Sequence, residues 1–106
     1  MRLLLSHNPD LNAQVQASGD TALILSVCYG HEEVVDLLLA HGANPNVPTV
    51  HGKTAVFFAA SHGKHRMLEK LVKRGGEINI HAHDRVISLI AAARGGHKDV
   101  VEYLLV

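Results

Sequence analysis

From Glu32 onward the apolar residues Val34, Val35, Leu38 and Leu39 fall on one helical stripe that ends at Gly42. That is the spacing of an amphipathic helix, with a glycine placed where a left-handed C-terminal cap is needed. Just upstream, Leu23, Ser26 and Val27 keep near-helical spacing until Gly30 breaks it. Downstream, Asn44-Pro45-Asn46 through Gly52 is rich in turn residues and carries no stripe. The pattern predicts two short helices back to back, followed by an extended hairpin or loop.

The same pattern recurs. Gly19-Asp20-Thr21-Ala22 returns as Gly52-Lys53-Thr54-Ala55, an offset of 33. The same 33 residues carry Gly30 to Gly63 and Gly96, Gly42 to Gly75, and Leu38 to Leu71 and Leu104. Agreement at independent positions marks a structural repeat. Comparing the periods separates inside from outside. Val34/Met67/Val100, Val35/Leu68/Val101, Leu38/Leu71/Leu104 and Leu39/Val72/Leu105 stay apolar and are expected in the core. Leu37/Lys70/Tyr103 and Cys28/Ser61/Arg94 vary and are expected outside. Ser26/Ala59/Ala92 and Val27/Ala60/Ala93 stay small, which lets neighbouring helices approach closely.

These residues resemble the ankyrin repeat, whose pattern runs Gly-x-Thr-Pro-Leu-His-x-Ala-Ala-x-x-Gly-His, then an aliphatic helix, then Gly-Ala-x-x-Asn. Gly19-Asp20-Thr21-Ala22-Leu23, the run from Gly30-His31 to Gly42-Ala43-Asn44-Pro45-Asn46, Ala91-Ala92-Ala93-Arg94-Gly95-Gly96-His97 and Asn79 carry the likeness. The texture also resembles the long arrays of multiple-ankyrin, KH-domain scaffold proteins. The resemblance implies an all-α solenoid of stacked helix-turn-helix ankyrin repeats with β-hairpin or loop connections. Residues 1–106 are then a single ankyrin-repeat domain: a partial repeat at 1–16, successive repeats at 17–49 and 50–82, and a truncated one at 83–106. Leu3-Leu4-Leu5-Ser6-His7-Asn8 matches Leu37 to Gly42, so both ends read as cut inside a repeat of a longer array.

Departures from the pattern matter. The family's Pro is Ala22, Ala55 and Ser88, and its turn-capping His is Ile24, Phe57 and Ile90. Apolar packing takes the place of a hydrogen-bonded brace. In the third period Arg85 holds the Gly position and Ile87 the Thr position, so its hairpin is expected to be the loosest.

At 106 residues with 47% hydrophobic side chains, the chain has the make-up of one folded domain. With aromatics at 4% and no Trp, its core must come from Leu, Val, Ile and Ala. The formal charge of zero argues against a nucleic-acid partner or an anionic membrane. The apolar run after Met1-Arg2 stops at Ser6, short of a signal sequence, and no stretch approaches the ~20 apolar residues of a membrane span. Cys28 is the only cysteine, which fits a cytoplasmic or nuclear protein.

The candidate chemistry is thin. Gly52-Lys53-Thr54 resembles the end of a phosphate-binding loop, but Val47 stands where that loop needs its first glycine. His31-Glu32-Glu33-Val34-Val35 starts like a zinc-protease helix but has Val35 where the second His belongs. His81 and His83 share one side of an extended segment, with His62 and His65 one period earlier. Structural zinc wants four ligands with Cys among them, and a solvated loop explains these residues better. Cys28 has no acid or base at motif spacing. The carboxylates Glu32, Glu33 and Asp36 read as a solvated helix start. No enzymatic activity, cofactor, metal or catalytic residue is expected.

Binding remains. By resemblance, ankyrin repeats bind proteins or peptides through hairpin tips and the exposed edge of the first helix of each pair. Residue by residue this points to Asp20, Tyr29, Val50, His51, Lys53, Ser61, His62, His83, Asp84, Val86 and Arg94. The alternative is an architectural spacer within a larger scaffold protein. Uncapped repeats at both ends also predict self-association.

Overall fold

A computed structural model describes residues 11–79 and 83–105. Among them the two-helix period appears as α1 (Ala22–Cys28) with α2 (Glu32–Ala40), α3 (Ala55–Ser61) with α4 (His65–Lys73), and α5 (Asp84–Arg94) with α6 (Lys98–Leu105). The segment Leu3–Asn8, His81 and Val106, which carry parts of the sequence expectations, lie outside the described residues.

The repeated glycines are helix stops. Past α2, the Gly42 amide donates to the Leu39 carbonyl (3.1 Å) and the Ala43 amide to the Leu38 carbonyl (3.0 Å). This pair of bonds satisfies two carbonyls that a helix end leaves open, and it requires a left-handed residue between them. Gly42 supplies it at φ 90°. The same pair of bonds closes α1, α3, α4 and α5 around Gly30, Gly63, Gly75 and Gly96.

Packing follows the apolar positions. α1 lies on α3 and α3 on α5, forming an inner row, while α2 lies on α4 in an outer row. Leu23, Val27, Val35, Leu38, Val56, Leu68, Leu71, Val100 and Leu104 fill the space between the rows and are buried. Ala59, Ala60 and Ala92 have no exposed surface. Side chains that small let the inner helices meet nearly backbone to backbone. The stack measures 40 × 25 × 21 Å.

Asparagines tie one connecting segment to the next. The Asn12 side-chain oxygen accepts from the Asn44 amide (2.8 Å). Asn46 accepts from the Glu77 amide (2.8 Å) and donates to the Gly75 carbonyl (2.9 Å). The loop at 49–53 is pinned by the Thr49 amide to the Lys53 carbonyl (2.8 Å), and the Val50 amide reaches the Ser18 carbonyl (3.1 Å). Among the described residues these connections stay loops and form no strand.

Three expectations change. First, α5 begins at Asp84, four residues before Ser88, which is the repeat equivalent of the first residues of α1 and α3. Thr21 sets the start of α1 by accepting from the Ile24 amide (3.2 Å). Thr54 makes no such bond and α3 still starts in the same register. What the third period lacks is the left-handed glycine of Gly19 and Gly52, replaced by Arg85, so the helix runs back into what the sequence predicts as a hairpin tip. His83 caps α5, and Asp84 and Val86 lie in its first turn. Second, Leu105 is 66% exposed while its equivalent Leu39 is 5% exposed, and Ile90 is 55% exposed against 1% for Ile24. α3 and α4 cover the flank of α1 and α2, and no described element covers that of α5 and α6. Third, Cys28 and Tyr103 are half-buried against the core rather than free on the surface.

Candidate protein-binding surface

The loops and the exposed side of the inner helices form one face. At its loop end Val50 is 60% exposed beside exposed His51, on a backbone held by the Thr49–Lys53 and Val50–Ser18 bonds. Asp20 lies half-buried in the preceding loop, where its amide donates to the Ser18 hydroxyl (3.2 Å). Lys53 folds back so that its Nζ sits 4.9 Å above the Phe57 ring centre, a cation–π contact one helical turn apart. Lys53, Phe57, Asp84 and Ile87 border a cleft between α3 and α5 that is scarcely larger than a water molecule. Val86, in the first turn of α5, is exposed.

The other end of the face, about 10 Å away at 1.5 Å per helical residue, is built by the C-termini of the inner helices. Tyr29 caps α1, is 74% exposed and stacks on His31 at 6.4 Å. Ser61 ends α3 and is half-buried. His62 caps α3, with its Nδ1 2.9 Å from the Phe58 carbonyl. Arg94 ends α5 and is exposed. The eleven residues therefore fall into two groups, the loop tips and the helix ends, rather than one patch. Phe57 and Ile87 border this face as well and were not among the residues the sequence pointed to. Their signal was the apolar replacement of the family's Thr and His.

Around this face the chemistry is quiet. Burial, and then the charge of Asp20, pushes the Cys28 thiol above its ordinary range, which lowers its thiolate fraction and its nucleophilicity at neutral pH. Among the described residues no three His, Cys, Asp or Glu side chains converge as a metal site would require. His97 packs over Gly63 of the preceding pair, where a Cβ would run into its ring. On the outer row Lys70 donates to Glu32 (2.7 Å) and Asp36 (2.8 Å), joining α4 to α2. Hydrogen bonds to Asp36 and then Glu32 hold its ammonium above the usual lysine range.

Comparison with known proteins accords with this architecture. The family model described as ankyrin repeats (3 copies) matches residues 1–82 and 45–106. The ankyrin repeat and KH domain-containing protein mask-1 of Caenorhabditis elegans is 34% identical over 104 residues, 97% of this chain and 4% of that protein. The ankyrin repeat and KH domain-containing protein mask of Drosophila melanogaster is 38% identical over 95 residues, 88% of the chain and 2% of that protein. The inactive serine/threonine-protein kinase TEX14 of Mus musculus is 36% identical over 67 residues, 63% of the chain and 5% of that protein. The chain thus spans a few per cent of the length of relatives much larger than itself. The glycine stops, the paired helices and the matches over nearly its whole length agree, and the chain belongs to the ankyrin-repeat family, whose members are protein-interaction modules.

Proposed function

We propose that this chain is a rigid module that binds a protein or peptide across its inner face, through the loop 49–53 and the C-terminal ends of α1, α3 and α5. The observation that carries this reading is the exposure of Tyr29 and Val50 from a backbone fixed by hydrogen bonds. Large side chains on a preordered scaffold bind without the entropy of ordering a loop. Tyr29 and Arg94 are the expected hot spots, being of types enriched there. A half-buried, weakly nucleophilic Cys28 suits a reducing cytoplasmic or nuclear setting.

The test is capture from cell lysate with the unaltered chain, followed by titration of the captured partner against variants. Tyr29→Ala and Arg94→Ala each weaken binding with helicity unchanged, by about 1–2 kcal/mol. Asp36→Ala, on the outer row, leaves it nearly intact. The opposite ranking moves the site to the outer face and overturns the reading.

A second reading, spacer repeats within a larger scaffold, draws on the flank Ile90, Ala93 and Leu105. These occupy the positions by which α1 and α2 meet α3 and α4, so the flank suits another helix pair of the same kind, including one from a second copy of the chain.

A further inference from the structure

Five of the chain's ten Lys and Arg residues, Lys64, Arg66, Lys70, Lys73 and Arg74, fall in eleven consecutive positions. In the fold this run is the start of α4, the helix itself and its cap. Met67, Leu68 and Leu71 point into the core. Arg66, Lys70, Lys73 and Arg74 stand at i, i+4, i+7 and i+8, which is one face of a helix. That face is the outer one, turned away from the loop tips. It is about 12 Å long at 1.5 Å per residue.

The charges on it are not equivalent. Lys70 is already spent on Glu32 and Asp36. Arg66, Lys73 and Arg74 are exposed and make no ion pair among the described residues. The exposed Glu69 stands one helical turn from both Arg66 and Lys73, so the stripe carries three cations and one carboxylate and is net positive in a chain of zero net charge. Its borders are negative. Glu32 lines the same cleft as Lys64 and Arg66 on the α2 side, and Asp99 lines it on the α6 side. Asp36, which holds Lys70, extends the α2 border.

We propose that the outer face of α4 is a second docking surface, which takes a narrow acidic peptide segment along Arg66, Lys73 and Arg74. Charge complementarity selects the occupant's sign. The acidic borders select its width. A nucleic-acid strand carries a dense phosphate charge and gains its affinity from many cations and from stacked aromatics. Here the three cations, in no ion pair among the described residues, stand between carboxylates, and Tyr103 is half-buried, edge-on to His65 at 5.7 Å. A peptide whose carboxylates are spaced along one edge meets the cations while keeping clear of Glu32 and Asp99. This surface is independent of the inner face, so each reading stands or falls alone.

The probe is a dye-labelled peptide of alternating Glu and Ser, titrated against the full chain by fluorescence anisotropy at low and high salt. Binding is expected at low salt and is expected to weaken as salt rises. The double variant Arg66→Gln/Arg74→Gln binds about tenfold more weakly, the equivalent of two exposed ion pairs. Arg85→Gln/Lys98→Gln removes the same charge elsewhere and changes binding less than about twofold. All four residues are exposed, so the helical signal of both variants stays that of the parent. Equal loss in the two double variants, or no binding by the unaltered chain, overturns the proposal. Oligouridylate bound more tightly than the peptide, and lost in the stripe variant, overturns its choice of partner in favour of a nucleic acid.

Discussion

Leu37, Leu38 and Leu39 are consecutive and chemically identical, yet the fold treats them differently. Leu38 and Leu39 are buried, whereas Leu37 lies on the exposed outer side of α2. Three residues turn a helix by nearly one revolution, so only part of such a run can face the core. Truncating a buried leucine removes its transfer free energy and leaves a cavity that the neighbours fill only in part. Leu38→Ala and Leu71→Ala should each cost about 2–5 kcal/mol in urea unfolding, and Leu37→Ala under about 1 kcal/mol. Equal losses at Leu37 and Leu38 would refute the assignment. All of this was legible in the sequence, because Leu38 stays Leu at 71 and 104 while Leu37 becomes Lys70 and Tyr103. Leu105 was not legible. Its type matches Leu39, and only the absence of a covering helix among the described residues leaves it exposed.

The helix termini are where residue chemistry becomes architecture. Each of the first five helices ends at a left-handed glycine, but the glycines differ in what surrounds them. A Cβ at Gly42 meets nothing within 4 Å, so Gly42→Ala carries only the left-handed penalty, about 1–2 kcal/mol. A Cβ at Gly63 runs into the His97 ring as well. Gly63→Ala is therefore expected to cost more than Gly42→Ala in thermal or urea unfolding. Adding His97→Ala should recover part of the difference, a coupling that a double-mutant cycle measures directly. Identical losses at the two glycines, with no coupling to His97, would remove His97 from the turn. The glycine period was visible from the sequence. That His97 packs across the preceding turn was not, because it depends on how closely α5 and α6 settle against α3 and α4. The start of α5 divides in the same way. Arg85 and Ile87 marked the third loop as irregular, but its conversion into an extra helical turn came from the fold.

For the whole molecule the question is what lies on the flank of α5 and α6. Ile90 and Leu105 are exposed there beside Ala93, and contiguous apolar surface of this kind marks an association site. Head-to-tail contact between copies would repeat the α1–α3 and α2–α4 packing, without any need to close into a ring. The expected outcome is concentration-dependent sedimentation of the unaltered chain, shifted toward monomer by Val101→Lys/Leu105→Glu. A strictly monomeric parent that gains nothing from those changes would show that the flank does not associate. Val101 is half-buried, so a circular-dichroism melt of the variant separates lost association from lost folding.

Period, helix phase and glycine stops were determined by the sequence alone, because they are local: they depend on spacing within one repeat and on which residues tolerate a left-handed backbone. The inside-outside division of α2 and α4 was determined there as well, since three copies of one motif report which positions may vary. The tertiary structure decided what depends on neighbours. It joined Lys70 to two carboxylates across α2 and α4, folded Lys53 over Phe57, and split the expected binding residues into a loop cluster and a helix-end cluster. Among the described residues it also left Arg66, Lys73 and Arg74 outside any ion pair. A sequence shows that charges are near one another along the chain, but whether each finds a partner depends on the element packed beside it.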